Sequence, residues 1–378
     1  MNDFQRWKLT RQKLTPVFTS SRIKSMFYIL DQCARDFVDL VDEKPELRKK
    51  PYTLVYTYTT AAIGASVFGI DTQAKSTMDS PLVEMAWKAL DPTMKANLIL
   101  IIADLFPGLF KLLQLKIFGD HEEFFISIMK SVLESRKNDT QKRHDFIEIC
   151  LELKKQGMMK DLTTGFELEP TDELLAAQAF FFFIAGADTS ANVMHFTLLE
   201  LASNPETLSK LHKEIDEIFK NGADELTYND MDKLQYLDKV LNESMRKYPP
   251  IGILQRLCTK DTILPSGVPI EKEVVCLIPV FAIQRDERNY PKPEVFDPER
   301  FALDNPSGKG KYTFLPIGEG NRNCIGARFA RLQIKAGLAR LLRRFTLTEQ
   351  EYKPVKFEKS AFGLRASDAF YEFKLRDI

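Results

Sequence analysis

The sequence predicts a mostly α-helical domain with a small β region. Three observations carry that expectation. Residues 171–201 form a long apolar stretch, preceded by Pro170, with acidic residues at its start and Asn204-Pro205 at its end. Apolar residues recur at three- and four-residue steps through 21–68, through 121–156 and again from Ala327 onward. Strand-like stretches are short and few: 253–258, 274–280 and the alternating Tyr371, Phe373 and Leu375 near the end.

Composition narrows the class. The 378 residues are 44% hydrophobic and 28% charged, enough for a large core. No linker, repeat or low-complexity tract divides them, so 1–378 is expected to be a single domain. Lys+Arg and Asp+Glu balance at 53 each, so no global field points to nucleic acid. Five scattered cysteines suggest neither a zinc site nor a disulfide framework, and a reducing compartment is expected. The residues after Met1 read as neither a signal peptide nor a transmembrane anchor.

Taken in order, the chain opens with Arg6-Trp-Lys-Leu-Thr-Arg11, where four-residue spacing puts Trp7 and Arg11 on one helix face. Two donors together suit a carboxylate or phosphate, and an exposed basic helix reads equally simply. Residues 21–68 read as amphipathic helices, with Met26, Phe27, Ile29 and Leu30, then Phe37, Leu40 and Val41. The apolar run 98–102, followed by 105–110 and bounded by Asp104 and Lys111, is too short to span a bilayer. It reads as a packed helix pair. Residues 121–156 read as charged helices with a polar turn at 137–142.

The 171–201 stretch is long enough to raise a membrane span, but Gln178, Asp188, Asn192 and His195 make a lipid-facing helix costly. A helix buried in a large core fits better. Within it lies Ala185-Gly-Ala-Asp-Thr-Ser190. Gly186 weakens a helix by about 1 kcal/mol relative to Ala, which suggests a close approach to the backbone there. Asp188 beside Thr189 can hold water and pass protons, or Thr189 can bond back to its own turn in a kink. Asn204-Pro205 reads as an N-cap with Pro first, opening a helix that ends near Asn221-Gly222. Glu243 and Arg246 share one face of the next helix, a pair that also suits an ordinary surface. Between the strands at 253–258 and 274–280, Leu264-Pro-Ser-Gly-Val-Pro269 makes a turn.

The chain is organised around Phe314-Leu-Pro-Ile-Gly-Glu-Gly-Asn-Arg-Asn-Cys324-Ile-Gly-Ala-Arg328. Cys324 sits in a glycine loop just before a helix N-terminus, where amides and the helix dipole favour a thiolate. Such a thiolate suits a nucleophile, a redox centre or an axial metal ligand, and a buried structural cysteine is the plain alternative.

Gly318, Arg322, Cys324 and Gly326 resemble the haem-cysteine loop of cytochrome P450s, with Ile317 standing where that family has an aromatic residue. Three further motifs match in order: Trp7 with Arg11, the Ala185–Ser190 block, and Glu243–Arg246 with Arg300. The start is similar to insect microsomal P450s of the family-6 type.

The resemblance implies a cytochrome P450 fold lacking its N-terminal helices and strands. It implies a haem-thiolate monooxygenase acting on a lipophilic small molecule, xenobiotic or endogenous, with O2 as co-substrate and no nucleic acid. Cys324 would ligate the haem iron as a thiolate. Trp7, Arg11, Arg256 and Arg322 would bind the propionates, and Asp188 and Thr189 would deliver protons. Glu243, Arg246 and Arg300 would brace the region structurally. Ile184, Ala187, Ile251, Ile253, Phe362 and Leu364 would line the pocket. Residues 98–110 would form a cap over it that dips into a membrane surface. Electrons would come from NADPH through NADPH–cytochrome P450 reductase, with Arg328, Arg331 and Lys335 placed to face that partner. The expected location is the endoplasmic reticulum membrane, on its cytoplasmic face. The alternative is a catalytically silent haem-binding or regulatory remnant, and a helical scaffold without cofactor is a third reading. What the family carries before its Trp–Arg helix is missing, so the chain alone is expected to hold haem poorly and turn over little.

Overall fold

The computed structural model describes residues 4–68, 78, 84, 94–116, 121–137, 145–220, 225–303, 310, 312–349, 351–358, 363–367 and 371–377. The first helix, α1 (Phe4–Leu14), runs into a 3-10 turn at Thr15–Phe18, where Pro16 occupies a first-turn position that needs no N–H. Helix α2 (Ser20–Glu43) buries the stripe Met26, Phe27, Leu30, Phe37 and Val41. Helix α3 (Pro51–Phe68) departs from the amphipathic expectation: every residue from Tyr58 to Phe68 is buried. It runs between α2 and the longest helix, so it has no solvent side to keep polar.

Helices α4 (Met94–Leu105) and α5 (Pro107–Leu112) pack on each other and leave Leu98, Ile101, Phe106, Leu109 and Leu112 exposed. Helices α6 (His121–Ser135) and α7 (Phe146–Gln156) follow, then a small antiparallel pair, β1 (Met159–Lys160) with β2 (Glu167–Leu168). Most of the polar turn read at 137–142 lies outside the described residues, as do Asn221-Gly222, Ala361 and Phe362.

Helix α8 (Asp172–Ser203) is the axis of the molecule. Its Thr171 cap accepts from the Leu174 N–H at 3.2 Å. By length and hydropathy it could cross a membrane, yet α3, α6, α13 (Ala327–Arg344) and others pack around it. Helix α9 (Pro205–Ile218) begins at the expected proline. Asn204 does not cap it, however. Its side-chain amide donates back to the Glu200 carbonyl at 2.7 Å, closing α8 instead. A single turn, α10 (Tyr228–Met231), with a capping box at Thr227 and Asp230, leads into α11 (Gln235–Lys247).

The β region sits apart from this bundle. Strand β3 (Leu254–Leu257) pairs antiparallel with β6 (Val275–Ile278), and β4 (Thr262–Ile263) with β5 (Pro269–Ile270) closes the turn between them. One face of the β3–β6 ladder exposes Leu257, Val275 and Leu277, and the other turns Leu254, Arg256, Cys276 and Ile278 inward. A short helix, α12 (Val280–Ile283), follows β6. After α13, strand β7 (Phe345–Leu347) pairs with β8 (Phe373–Leu375) and brings the chain's end against the core.

Candidate haem site

The glycine loop folds as its composition requires. Gly318 and Gly320 take φ of 73° and 75°, a region that suits glycine. A turn at Gly320–Arg322 then presents Cys324, whose N–H donates to the Ile317 carbonyl at 2.9 Å. Three residues later α13 begins. The Cys324 side chain is exposed, as is Ile317, so no ring covers the sulfur from that position.

The thiolate expectation meets a correction. Cys324 opens to solvent but is surrounded by enough protein that burial pushes its thiol above the usual range. The Gly326 N–H and Arg11 pull the other way and are outweighed. The loop alone does not ionise the sulfur, whereas a bound metal deprotonates a coordinating thiol.

Helix α1 clasps this loop. The Arg11 guanidinium donates to the Asn323 side-chain carbonyl at 2.7 Å. The Arg322 guanidinium stacks over the Trp7 ring, 3.3 Å from its centre, and Arg11 lies 6.0 Å from the same ring. Arg256, on the inner face of β3, is near enough to Arg322 to repel it. Burial first, then Arg256 and Arg11, lower the hold of Arg322 on its proton. No ion pair to Arg11, Arg256 or Arg322 occurs among the described residues. Three cations and an indole gathered without an acid fit the two carboxylates of a haem beside a cysteine ligand.

Behind the loop, Glu243 and Arg246 form a fully buried bidentate pair at 2.7 and 2.8 Å, and Arg300 approaches the same carboxylate at 3.4 Å. Gln284, which the sequence does not single out, ties the pair to the loop. Its side-chain carbonyl accepts from Leu315 N–H at 2.7 Å, its side-chain amide donates to the Met245 and Arg246 carbonyls, and its backbone carbonyl accepts from the Arg246 guanidinium. Glu200 is similarly unforeseen: it is buried on α8 with Lys247 and Tyr248 each at 2.7 Å.

In the middle of α8, Thr189 takes the helix-bonded option, its hydroxyl donating to the Ala185 carbonyl at 2.6 Å. Asp188 is buried and fully engaged. It accepts from Arg365 at 2.6 Å, Asn192 at 3.1 Å and Tyr52 at 3.2 Å. Gly186 is closely approached, but by α3: a Cβ there would lie 2.8 Å from Ile63. The less buried stripe of this helix runs through Phe181, Ala185 and Thr189. Ile184 and Ala187 point away from it into the core, so neither lines an open space as the sequence suggests. Ile251 and Ile253 are exposed, and Leu364 is half-buried over Gly252.

The expected partner-facing cations also divide. Arg328 is exposed, held to the Ser20 hydroxyl at 3.1 Å. Arg331 and Lys335 instead turn inward to Asp238 of α11, each at 2.7 Å, because that carboxylate lies one helix away.

The cytochrome P450 family model matches residues 1–373. The chain is similar to probable cytochrome P450 6a14 of Drosophila melanogaster, with 35% identity over 388 residues, 97% of this chain and 75% of that protein. It is equally similar to cytochrome P450 6B2 of Helicoverpa armigera, with 35% identity over 91% of this chain and 69% of that protein. With cytochrome P450 6a2 of Drosophila melanogaster the identity is 33% over 98% of this chain. A cysteine loop backed by a buried Glu–Arg pair, in a chain matched almost end to end, places it in the cytochrome P450 family as a haem monooxygenase.

Proposed function

We propose that Cys324 is the axial thiolate ligand of the haem, whose propionates lie against Trp7, Arg11, Arg256 and Arg322. On this reading, residues 1–378 act as one domain that inserts one oxygen atom of O2 into a lipophilic small molecule. The observation that carries it is the group of three guanidiniums without a paired acid beside an exposed cysteine. Gathering like charges is unfavourable unless an anion shares the space, and two propionates would do so. When bound, the haem supplies O2 activation with electrons from NADPH–cytochrome P450 reductase.

The rest is positional work by this chain. Arg11 and Trp7 fix the loop's height, and Gly326 turns an N–H toward the sulfur. Thr189 keeps acceptor capacity on its oxygen while donating to Ala185, so it can hold a water at that point. Asp188, one residue away, gives its carboxylate to Arg365, Asn192 and Tyr52, which leaves the water to Thr189. The exposed apolar side chains of α4 and α5 support contact with the cytoplasmic face of the endoplasmic reticulum membrane.

Replacing Cys324 by Ala is expected to abolish the thiolate-type absorption of the reduced carbon-monoxide complex. An unchanged spectrum would falsify the assignment. A second reading, a haem-binding chain without turnover, is favoured by Ile317 at the aromatic position and by the tethering of Asp188 to Arg365. Haem with no product from any lipophilic substrate, given a competent reductase, would select it.

A further inference from the structure

We propose that Arg365 is a positioning residue: its ion pair with Asp188 latches the segment 363–367 onto α8 and so sets the C-terminal wall of the substrate pocket. The pocket's purpose rests on the monooxygenase reading, whereas the latch rests on contacts within this chain.

Arg365 is the one cation between Lys359 and Lys374. Its guanidinium reaches Asp188 at 2.6 Å, and the two side chains are 13% and 5% exposed. The guanidinium also lies over the Tyr52 ring, 5.2 Å from its centre, and Tyr52 donates to the same carboxylate oxygen. Asp188 thus collects donors from α3, from α8 itself and from the C-terminal segment. Tyr56, also on α3, faces this carboxylate, and Glu358 stands off at 3.9 Å from Arg365.

The segment's other anchors hold it elsewhere. Glu358 N–H donates to the Arg365 carbonyl and Ser367 N–H to the Lys356 carbonyl, both at 2.8 Å, binding it to 356–358. Among the described residues, Arg365–Asp188 is the ion pair that joins it to α8. Just before Arg365 the segment makes close contacts with the turn at 250–252. A Cβ on Gly363 would sit 3.1 Å from the Pro250 carbonyl, and one on Gly252 would sit 3.6 Å from Leu364. Leu364 is therefore pinned between the latch and the turn that leads into β3. Its distance from α8 limits the width of any substrate between them. Removing one partner leaves the other as a buried charge, so the segment loses its tie to α8 and keeps only its bonds to 356–358. Lysine keeps the charge but loses the planar fork that spans Asp188 and the tyrosine ring.

The test compares the full chain with Arg365→Gln, Arg365→Lys, Asp188→Asn and the Gln/Asn double variant. Hydrogen exchange is read at the Glu358 and Ser367 amides, whose acceptors lie in or beside the segment. Arg365→Gln is expected to speed both by about tenfold or more, with the double variant no faster and the lysine variant between. Unchanged exchange, or effects that simply add, would overturn the latch. If Arg365→Gln does not fold, Arg365→Lys carries the same comparison. With 7-ethoxycoumarin as a probe substrate, Arg365→Gln is expected to raise KM several-fold, by roughly 0.6 to 1.4 kcal/mol for three- to tenfold, while peroxide released per NADPH stays level. Raised peroxide at constant KM would instead place Arg365 in proton delivery and overturn the proposal. Failure of the haem assignment would appear separately, as a missing thiolate-type spectrum in the unmodified chain, and would leave the exchange result standing.

Discussion

Thr189 shows how one hydroxyl can serve two masters. Its hydrogen goes to the Ala185 carbonyl at 2.6 Å, and its oxygen keeps lone pairs for a water. Thr189→Ala is expected to retain haem but divert consumed electrons to peroxide or water, lowering product per electron severalfold. Thr189→Ser should restore most of the coupling. Intact coupling in the alanine variant would reduce the hydroxyl to a helix feature. Cys324 and its glycines were legible because their chemistry is local: a turn, a sulfur and a helix start lie within fifteen residues. Gln284 and Arg365 were not, because each acquires its role from partners 31 and 177 positions away. Arg365 did leave a trace, as the one cation between Lys359 and Lys374. Glu200 left none that composition could separate from a surface acid.

At the level of elements, two helix crossings set the core's tolerance. Gly186 of α8 meets Ile63 of α3, and Gly337 of α13 meets the Tyr58 ring, where an added Cβ would lie 2.4 Å from a ring carbon. Gly186→Ala is expected to cost about 1–3 kcal/mol, read as a lower midpoint in denaturant. Pairing it with Ile63→Val should recover part of that loss, since the obstructing atoms are side-chain carbons. An additive loss would show that the glycine matters for something other than this crossing. The sequence signalled Gly186 as a close approach and left the approaching partner open, because periodicity describes one helix at a time. The same blindness explains α3. Its apolar and small residues read as one helical face, but burial on every side comes from neighbours that no local window contains.

The whole molecule carries a pH signature. His195 is buried against Tyr371, with Nδ1 3.0 Å from the hydroxyl, and burial lowers it to about 3. His212 is lowered to about 4, by burial first and then by Arg376. An unfolded histidine titrates near 6.5, so below that value the unfolded chain takes up protons that the folded chain refuses. Stability is complete above about pH 6.5 and falls as pH drops toward about 3, with a slope from His195 of up to about 1.4 kcal/mol per unit. Urea midpoints measured from pH 7 to 5 should decline in the unmodified chain and decline less in His195→Phe. Parallel curves would mean that His195 is protonated without unfolding.

The clasp of α1 on the cysteine loop has a consequence in time. Arg11 and Asn323 meet across 312 positions of chain. At ordinary synthesis rates that separation is roughly 15–60 s of ribosome work, during which α1 exists and the loop does not. Throughout that interval Trp7 and Arg11 have no loop to hold. On the proposed ligation by Cys324, cofactor capture waits for this clasp, and a ribosome stalled before Cys324 leaves a chain without its iron ligand.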